Sequence, residues 1–268
     1  MAMTSFASIT APYDAFIIDL WGVIHDGTAL YPGAADALAS LTKPAVFLSN
    51  APRQSFKAQE TLDKLGVDRA HYQAIITSGQ IAHDRLKAEK KFSKYYYLGP
   101  GKDEDILSDL EAYESVDVEE AQFVLNTGYE YDFQPHEEVL STLQKLLNHD
   151  LPLLCVNRDY EVVKQDGTQM LCAGALAQEY ESMGGNVTYI GKPHAIAYDA
   201  AKKHLVGAQR ILMIGDNPDT DIKGAKGAGI DSLLITGGVL KVKHGALSEK
   251  AARKLCPDAT HILPAFAL

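Results

Sequence analysis

A chain of 268 residues, 46% apolar and 22% charged, has ordinary globular composition and room for one large domain or two of average size. Its formal net charge of −10, with no basic run to neutralise phosphates, argues against a nucleic-acid or acidic-membrane partner. No stretch approaches 18 apolar residues and the first six residues lack the basic and apolar regions of a leader, so neither a membrane span nor a signal peptide is expected.

Phe16-Ile17-Ile18 reads as a buried strand, and Asp19 falls at its end. Ligands bind at the carboxyl ends of strands in an open parallel sheet, so Asp19 points to a site, although Asp also ends strands with no further role. A helix over Gly33–Leu41, a second strand Ala45–Leu48 ending in Ser49-Asn50, and a helix through Leu65 follow. A third strand, Ala74–Ile76, ends in Thr77-Ser78-Gly79 and opens another helix. This alternation implies βαβ units and a parallel sheet.

The lysine-rich stretch Lys87–Lys94 reads as a linker into a second alternating block. There the strands are Tyr95–Leu98, Gln122–Leu125, Leu151–Val156 and Val187–Ile190, with helices over Glu137–Leu147 and Ala173–Met183. Asn157-Arg158-Asp159 closes the third of these strands. Gly191-Lys192-Pro193 follows the fourth, then a helix through His204 and the apolar strand Ile211–Ile214, which ends in Gly215-Asp216-Asn217 and reaches Asp221. Ser232–Ile235 is one more strand. Cys155, Cys172 and Cys256 are odd in number and widely spaced, which suits neither a disulfide framework nor a zinc site; they fit a reducing cytoplasm.

Four strand ends thus carry Asp19, Ser49, Lys192 and the pair Asp216/Asp221. Clustered carboxylates either raise each other's pKa or share a cation, and Mg²⁺ suits them. Lys192 adds fixed positive charge, and Ser49, with a helix start behind it, adds a hydroxyl and backbone donors. Such a set suits an oxyanion, above all a phosphoryl group.

The order and identity of these residues resemble the haloacid-dehalogenase-like superfamily over essentially the whole chain. Asp19-Leu20-Trp21-Gly22-Val23, Ser49-Asn50, Lys192 and Gly215-Asp216-Asn217 through Asp221 match its four motifs in order. His25-Asp26-Gly27 and Asn157-Arg158-Asp159 look most like subclass IIA, the NagD-like group. The resemblance implies a Rossmann-like parallel-sheet core at residues 1–88 and 189–268 and an inserted α/β cap at 89–188. It implies Asp19 as the nucleophile of an aspartyl-phosphate, and Mg²⁺ held by Asp19, the Trp21 carbonyl, Asp216 and Asp221. Ser49, Asn50 and Lys192 would bind the phosphoryl oxygens of a small phosphorylated metabolite. Family phosphatases carry an acid/base Asp where this chain has Trp21, so a phosphate-binding or regulatory protein with little turnover is the alternative reading.

His25 is a candidate replacement acid/base or a structural loop residue. Trp21 is read as stacking on a substrate ring or wedging between core and cap. Arg53 either guides the anion or pairs along its helix, and Asn157 and Asp159 are candidate substrate contacts. The sequence leaves the substrate and the oligomeric state open, a homodimer included.

Overall fold

The computed structural model describes residues 5–268; the reading of the N-terminus as lacking a leader falls in part outside them. In chain order the strands are β1 (Ala15–Ile18), β2 (Ala45–Ser49), β3 (Ala74–Thr77), β4 (Lys94–Leu98), β5 (Glu114–Ser115), β6 (Phe123–Asn126), β7 (Leu153–Cys155), β8 (Glu161–Val163), β9 (Gln169–Leu171), β10 (Val187–Tyr189), β11 (Ile211–Gly215), β12 (Asp231–Ile235) and β13 (His261–Leu263). The helices are α1 (Phe6–Thr10), α2 (Ala34–Ser40), α3 (Ser55–Lys64), α4 (Ser78–Glu89), α5 (His136–Asn148), α6 (Ala173–Ser182), α7 (Ala195–Lys202), α8 (Lys223–Gly227), α9 (Val239–His244) and α10 (Glu249–Leu255).

β1, β2 and β11 are apolar runs buried along their whole length, the pattern of strands covered on both faces. They lie at the centre of a six-stranded sheet, ordered β13-β12-β11-β1-β2-β3 and parallel throughout. The chain moves outward one way through β2 and β3 and the other way through β12 and β13. The order therefore reverses between β1 and β11, where such sheets form a crevice. Register decides what meets there: Ile18 is level with Ile214 and Phe47, and Ser49 with Thr77.

A second parallel sheet, β10-β7-β6-β4-β5, is built from residues 94–189. Tyr189 pairs with Cys155 in this sheet, so the parting between the sheets falls just after it. α5 buries Val139, Leu143 and Leu146, one stripe at helical spacing, against the sheet. Ile76, Ile81 and Leu86 share a buried cluster with Tyr95, Phe123 and Leu125, so the two sheets are joined by continuous apolar packing.

The structure changes several expected boundaries. The stretch read as a linker begins inside α4 and ends at the first residue of β4, leaving a short connection. The antiparallel hairpin β8–β9, which joins neither large sheet, was not expected. Its strands are three residues each, too short to display a period. Nor were α1, the 3₁₀ segment Gly101–Leu107, α8–α10 and β13. Among the described residues no helix is long and apolar enough to cross a membrane.

Candidate active site

Asp19 leaves the end of β1 and Asp216 the end of β11, side by side at the point of reversal. Asp221 arrives through a turn of π-helix, Pro218–Ile222, that folds back over β11. Carboxylate oxygens of all three lie within 4.8 Å of one another, and all three side chains are buried. The backbone has been stripped to let them gather. A Cβ at Gly22, which has φ +86°, would lie 2.3 Å from Asp216 Oδ2, and one at Gly215 2.2 Å from Asp221 Cγ.

Lys192 reaches the group from the loop after β10. Its Nζ donates to Asp19 Oδ1 at 2.6 Å and to Asp221 Oδ1 at 2.7 Å, with the side chain only 2% exposed. Burial by itself would lower the Lys192 pKa; Asp19, Asp221 and Asp159 outweigh it, and the ammonium stays charged. One cation does not balance three carboxylates. Burial, then the Asp221 charge, pushes Asp19 well above the usual carboxylate range, and the same causes raise Asp216 to about 7. A buried, oxygen-only, over-negative cradle fits a hard divalent cation, and Asp19, Asp216, Asp221 and the Trp21 carbonyl are the residues that could hold it.

Asn50 is the organiser of the opposite wall. Its Oδ1 accepts from Lys192 N (2.8 Å) and Ser78 Oγ (3.2 Å), and its Nδ2 donates to Asp159 Oδ1 (3.1 Å) and the Lys192 carbonyl (3.2 Å). Ser49 Oγ accepts from Ala51 N. The helix expected after this loop is α3, which starts at Ser55, and the start of α4, with Ser78, also packs against this corner. Ser78 was legible as a strand-end hydroxyl, but nothing local marked it as a partner of Asn50.

The remaining candidates separate cleanly. Asp159 comes from the second sheet's side and reaches the core site, and burial raises its carboxyl above the usual range. Asn157 stays local, its Oδ1 accepting from Asp159 N. Arg53 does not pair along its helix; its Nη2 lies 3.3 Å from the buried Asp103 in the 3₁₀ segment of the second unit. His25 is buried, and its Nδ1 accepts from Gly27 N at 2.9 Å, which fixes a neutral imidazole; burial lowers its pKa to about 4.

Trp21 wedges between the two units. Its Nε1 donates to the Val163 carbonyl on β8 at 2.8 Å, and its ring fills the space a Cβ at Gly27 would need. Asp26 extends this seam, accepting from Thr28 N, Thr28 Oγ1 and Ala29 N and, across to the hairpin, from Gln165 N. Val163 also packs with Ile222, Val239 and Leu240 of the first unit, and Lys243 pairs with Glu161 at 2.7 Å. The hairpin thus borders a cavity of about 380 Å³ that Asp19, Tyr129 and Lys102 also line.

A parallel sheet with an aspartate, a hydroxyl-bearing loop, a lysine and an acidic pair at its carboxyl edge defines a class of α/β hydrolases. Residues 16–112 match the family described as haloacid dehalogenase-like hydrolase, and residues 189–262 the HAD-hydrolase-like family. A haloacid dehalogenase-like hydrolase from Brucella suis 1330 superposes with a TM-score of 0.84 at 31% identity, covering 96% of this chain and 97% of its own. An acid sugar phosphatase from Staphylococcus saprophyticus is 24% identical over 85% of this chain and 88% of its length. A glycerol phosphate phosphatase from Mycobacterium tuberculosis, solved with magnesium, shares the fold with a TM-score of 0.70 at 20% identity, over 98% of this chain and 77% of its own. The chain belongs to the haloacid dehalogenase-like hydrolases.

Proposed function

We propose that this chain, a phosphoric monoester hydrolase, releases phosphate from a small phosphorylated metabolite using Asp19 as nucleophile and Mg²⁺ as cofactor. The observation that carries the reading is the buried lysine held between Asp19 and Asp221 with Asp216 alongside, a site built for a dianion and a cation together. An Asp19 carboxylate oxygen attacks phosphorus and the ester oxygen departs, leaving an aspartyl-phosphate that water then cleaves. Lys192, Ser49 and Asn50 bind the phosphoryl oxygens and hold phosphorus in line with Asp19. Asp19, Asp216, Asp221 and the Trp21 carbonyl would hold Mg²⁺, which supplies charge neutralisation on the phosphoryl oxygens. Residues 89–188 act as a cap on the core of residues 1–88 and 189–268 and exclude water. His25, Arg53, Asn157 and Asp159 line the cavity, Asp159 and Arg53 joining cap to core.

The test is phosphate release by wild type, Asp19→Asn and Asp216→Ala, with calorimetric titration of Mg²⁺ into each. Turnover is expected in the wild type only, and Mg²⁺ binding weaker by tenfold or more in Asp216→Ala. Mg²⁺-dependent phosphate binding without release in the wild type decides for the second reading, a non-hydrolytic binding protein. That reading is favoured by Trp21, whose indole is engaged with the hairpin and cannot act as acid or base.

A further inference from the structure

A second cavity, of about 590 Å³, meets the first at Asp159, Glu161, Asn217 and Thr220. Arg158, Lys223, Lys243 and His244 stand in its wall, and none of them lines the first cavity. Asp19, Ser49, Asn50 and Asp216 in turn do not line the second. In a chain of net charge −10, four basic side chains on one concave surface call for a reason. The carboxylates in the same wall do not neutralise them. Asp159 accepts from Asn50 in the core site, and Glu161 is taken by Lys243 at 2.7 Å. Asp219 is exposed, and among the described residues it pairs with no cation.

Among the described residues neither Arg158 nor Lys223 lies within ion-pair distance of a carboxylate. The Arg158 guanidinium instead sits over the Tyr189 ring, 4.5 Å from its centroid, and Tyr189 stacks on His194. A ring face holds a guanidinium in place without cancelling its charge. Burial, then the charges of Arg158 and Lys223, lowers the His194 pKa, so both cations bear on the same spot. Two unanswered charges facing one concavity attract an anion.

We propose that this cavity is a second ligand site, for a small organic anion carrying two or more negative charges as carboxylates or phosphates. Arg158 offers a planar fork of donors, and Lys223 and Lys243 offer point charges. Tyr160, Leu240 and Leu255 give the carbon body of the anion an apolar side. The grip comes from both units: Arg158 lies between β7 and β8, whereas Lys223 opens α8 and Lys243 is on α9. An anion held by both binds the arrangement in which they meet and so opposes their parting. The site needs neither Asp19 nor Mg²⁺, and it stands apart from the phosphatase reading.

The experiment titrates citrate and pyrophosphate by calorimetry into the full chain without Mg²⁺. Three carboxylates around one lysine repel anions from the first cavity under that condition, so the heat reports the second. One anion per chain is expected, and the tighter of the two probes distinguishes a carboxylate ligand from a phosphate one. Lys223 is exposed, so Lys223→Glu should fold; it should weaken binding by about tenfold or more, as should Arg158→Gln. Cys172 is buried and lines the first cavity, which makes its thiol a reporter of hairpin movement. At a probe concentration of about ten times the wild-type Kd, its labelling by Ellman's reagent should slow by about tenfold in wild type and by about twofold at most in Lys223→Glu.

No binding of either probe overturns the proposal. Binding that both variants leave unchanged also overturns it and places the anion at Lys192. Binding that leaves the labelling of Cys172 at its free rate overturns the grip between the units.

Discussion

Lys192 and Asp26 are two polar side chains whose loss should be felt in the stability of the fold. Lys192→Met would leave Asp19 and Asp221 facing each other in a dry interior, and breaking a buried pair in this way costs about 3–5 kcal/mol. Urea unfolding should show that loss, with part of it recovered in Mg²⁺; a change under about 1 kcal/mol would mean the carboxylates are not held by the lysine. Asp26 is the pH-sensitive member. Burial by itself would raise its pKa, but donors from Ala29, Thr28 and Gln165 outweigh burial and hold the carboxyl well below the usual range. A depressed folded pKa gives stability that is complete above the unfolded value of about 4 and lost as pH falls through the folded one. Wild type should therefore exceed Asp26→Asn by about 1.5–3 kcal/mol at neutral pH, a gap that closes only below about pH 4. A gap constant down to pH 2 would show that the hydrogen bonds do not depend on the charge.

At the scale of elements, the hairpin β8–β9 connects the site to the second unit. It has no place in either large sheet, so its position rests on side chains: Trp21 below, Asp26 at its turn, and Lys243 and Val239 alongside. Cys172 follows β9 directly, borders the Asp19 cavity and is buried, which raises its thiol pKa and makes it inert while the hairpin is in place. Trp21→Phe keeps a ring but deletes the donor to Val163. Losing one such bond, about 1 kcal/mol, corresponds to about fivefold more time open. The reaction of Cys172 with Ellman's reagent should quicken by about that factor, and a Cys172→Ser control assigns the signal. An unaltered rate would detach the hairpin from Trp21. The connection from α4 to β4 is short and leaves little slack between the two sheets.

The whole molecule is governed by the cluster that runs between the sheets. Leu125 is fully buried among residues from both, so Leu125→Ala should cost about 2–5 kcal/mol. Because the cluster is shared, calorimetry should show one cooperative transition that this substitution moves as a unit. Two separated transitions, with only one of them shifted, would show the units to be thermally independent.

The chain by itself determined the strands that carry the site. In a parallel sheet covered on both faces, each strand is a local apolar run, and the polar residue ending it stands out: Asp19, Ser49 and Asp216 were visible for that reason, and Lys192 by its place after β10. Tertiary structure decided everything that depends on register and on main-chain partners. Asp19 meets Asp216 because β1 and β11 lie side by side at the reversal of the sheet, and Lys192, 173 positions from Asp19, reaches Asp19 and Asp221 from the loop after β10. Trp21 was legible as a departure, but its partner is a backbone carbonyl in a three-residue strand, and a carbonyl is present at every position. Its place in the seam, like that of Arg53 against Asp103, was fixed by the fold alone.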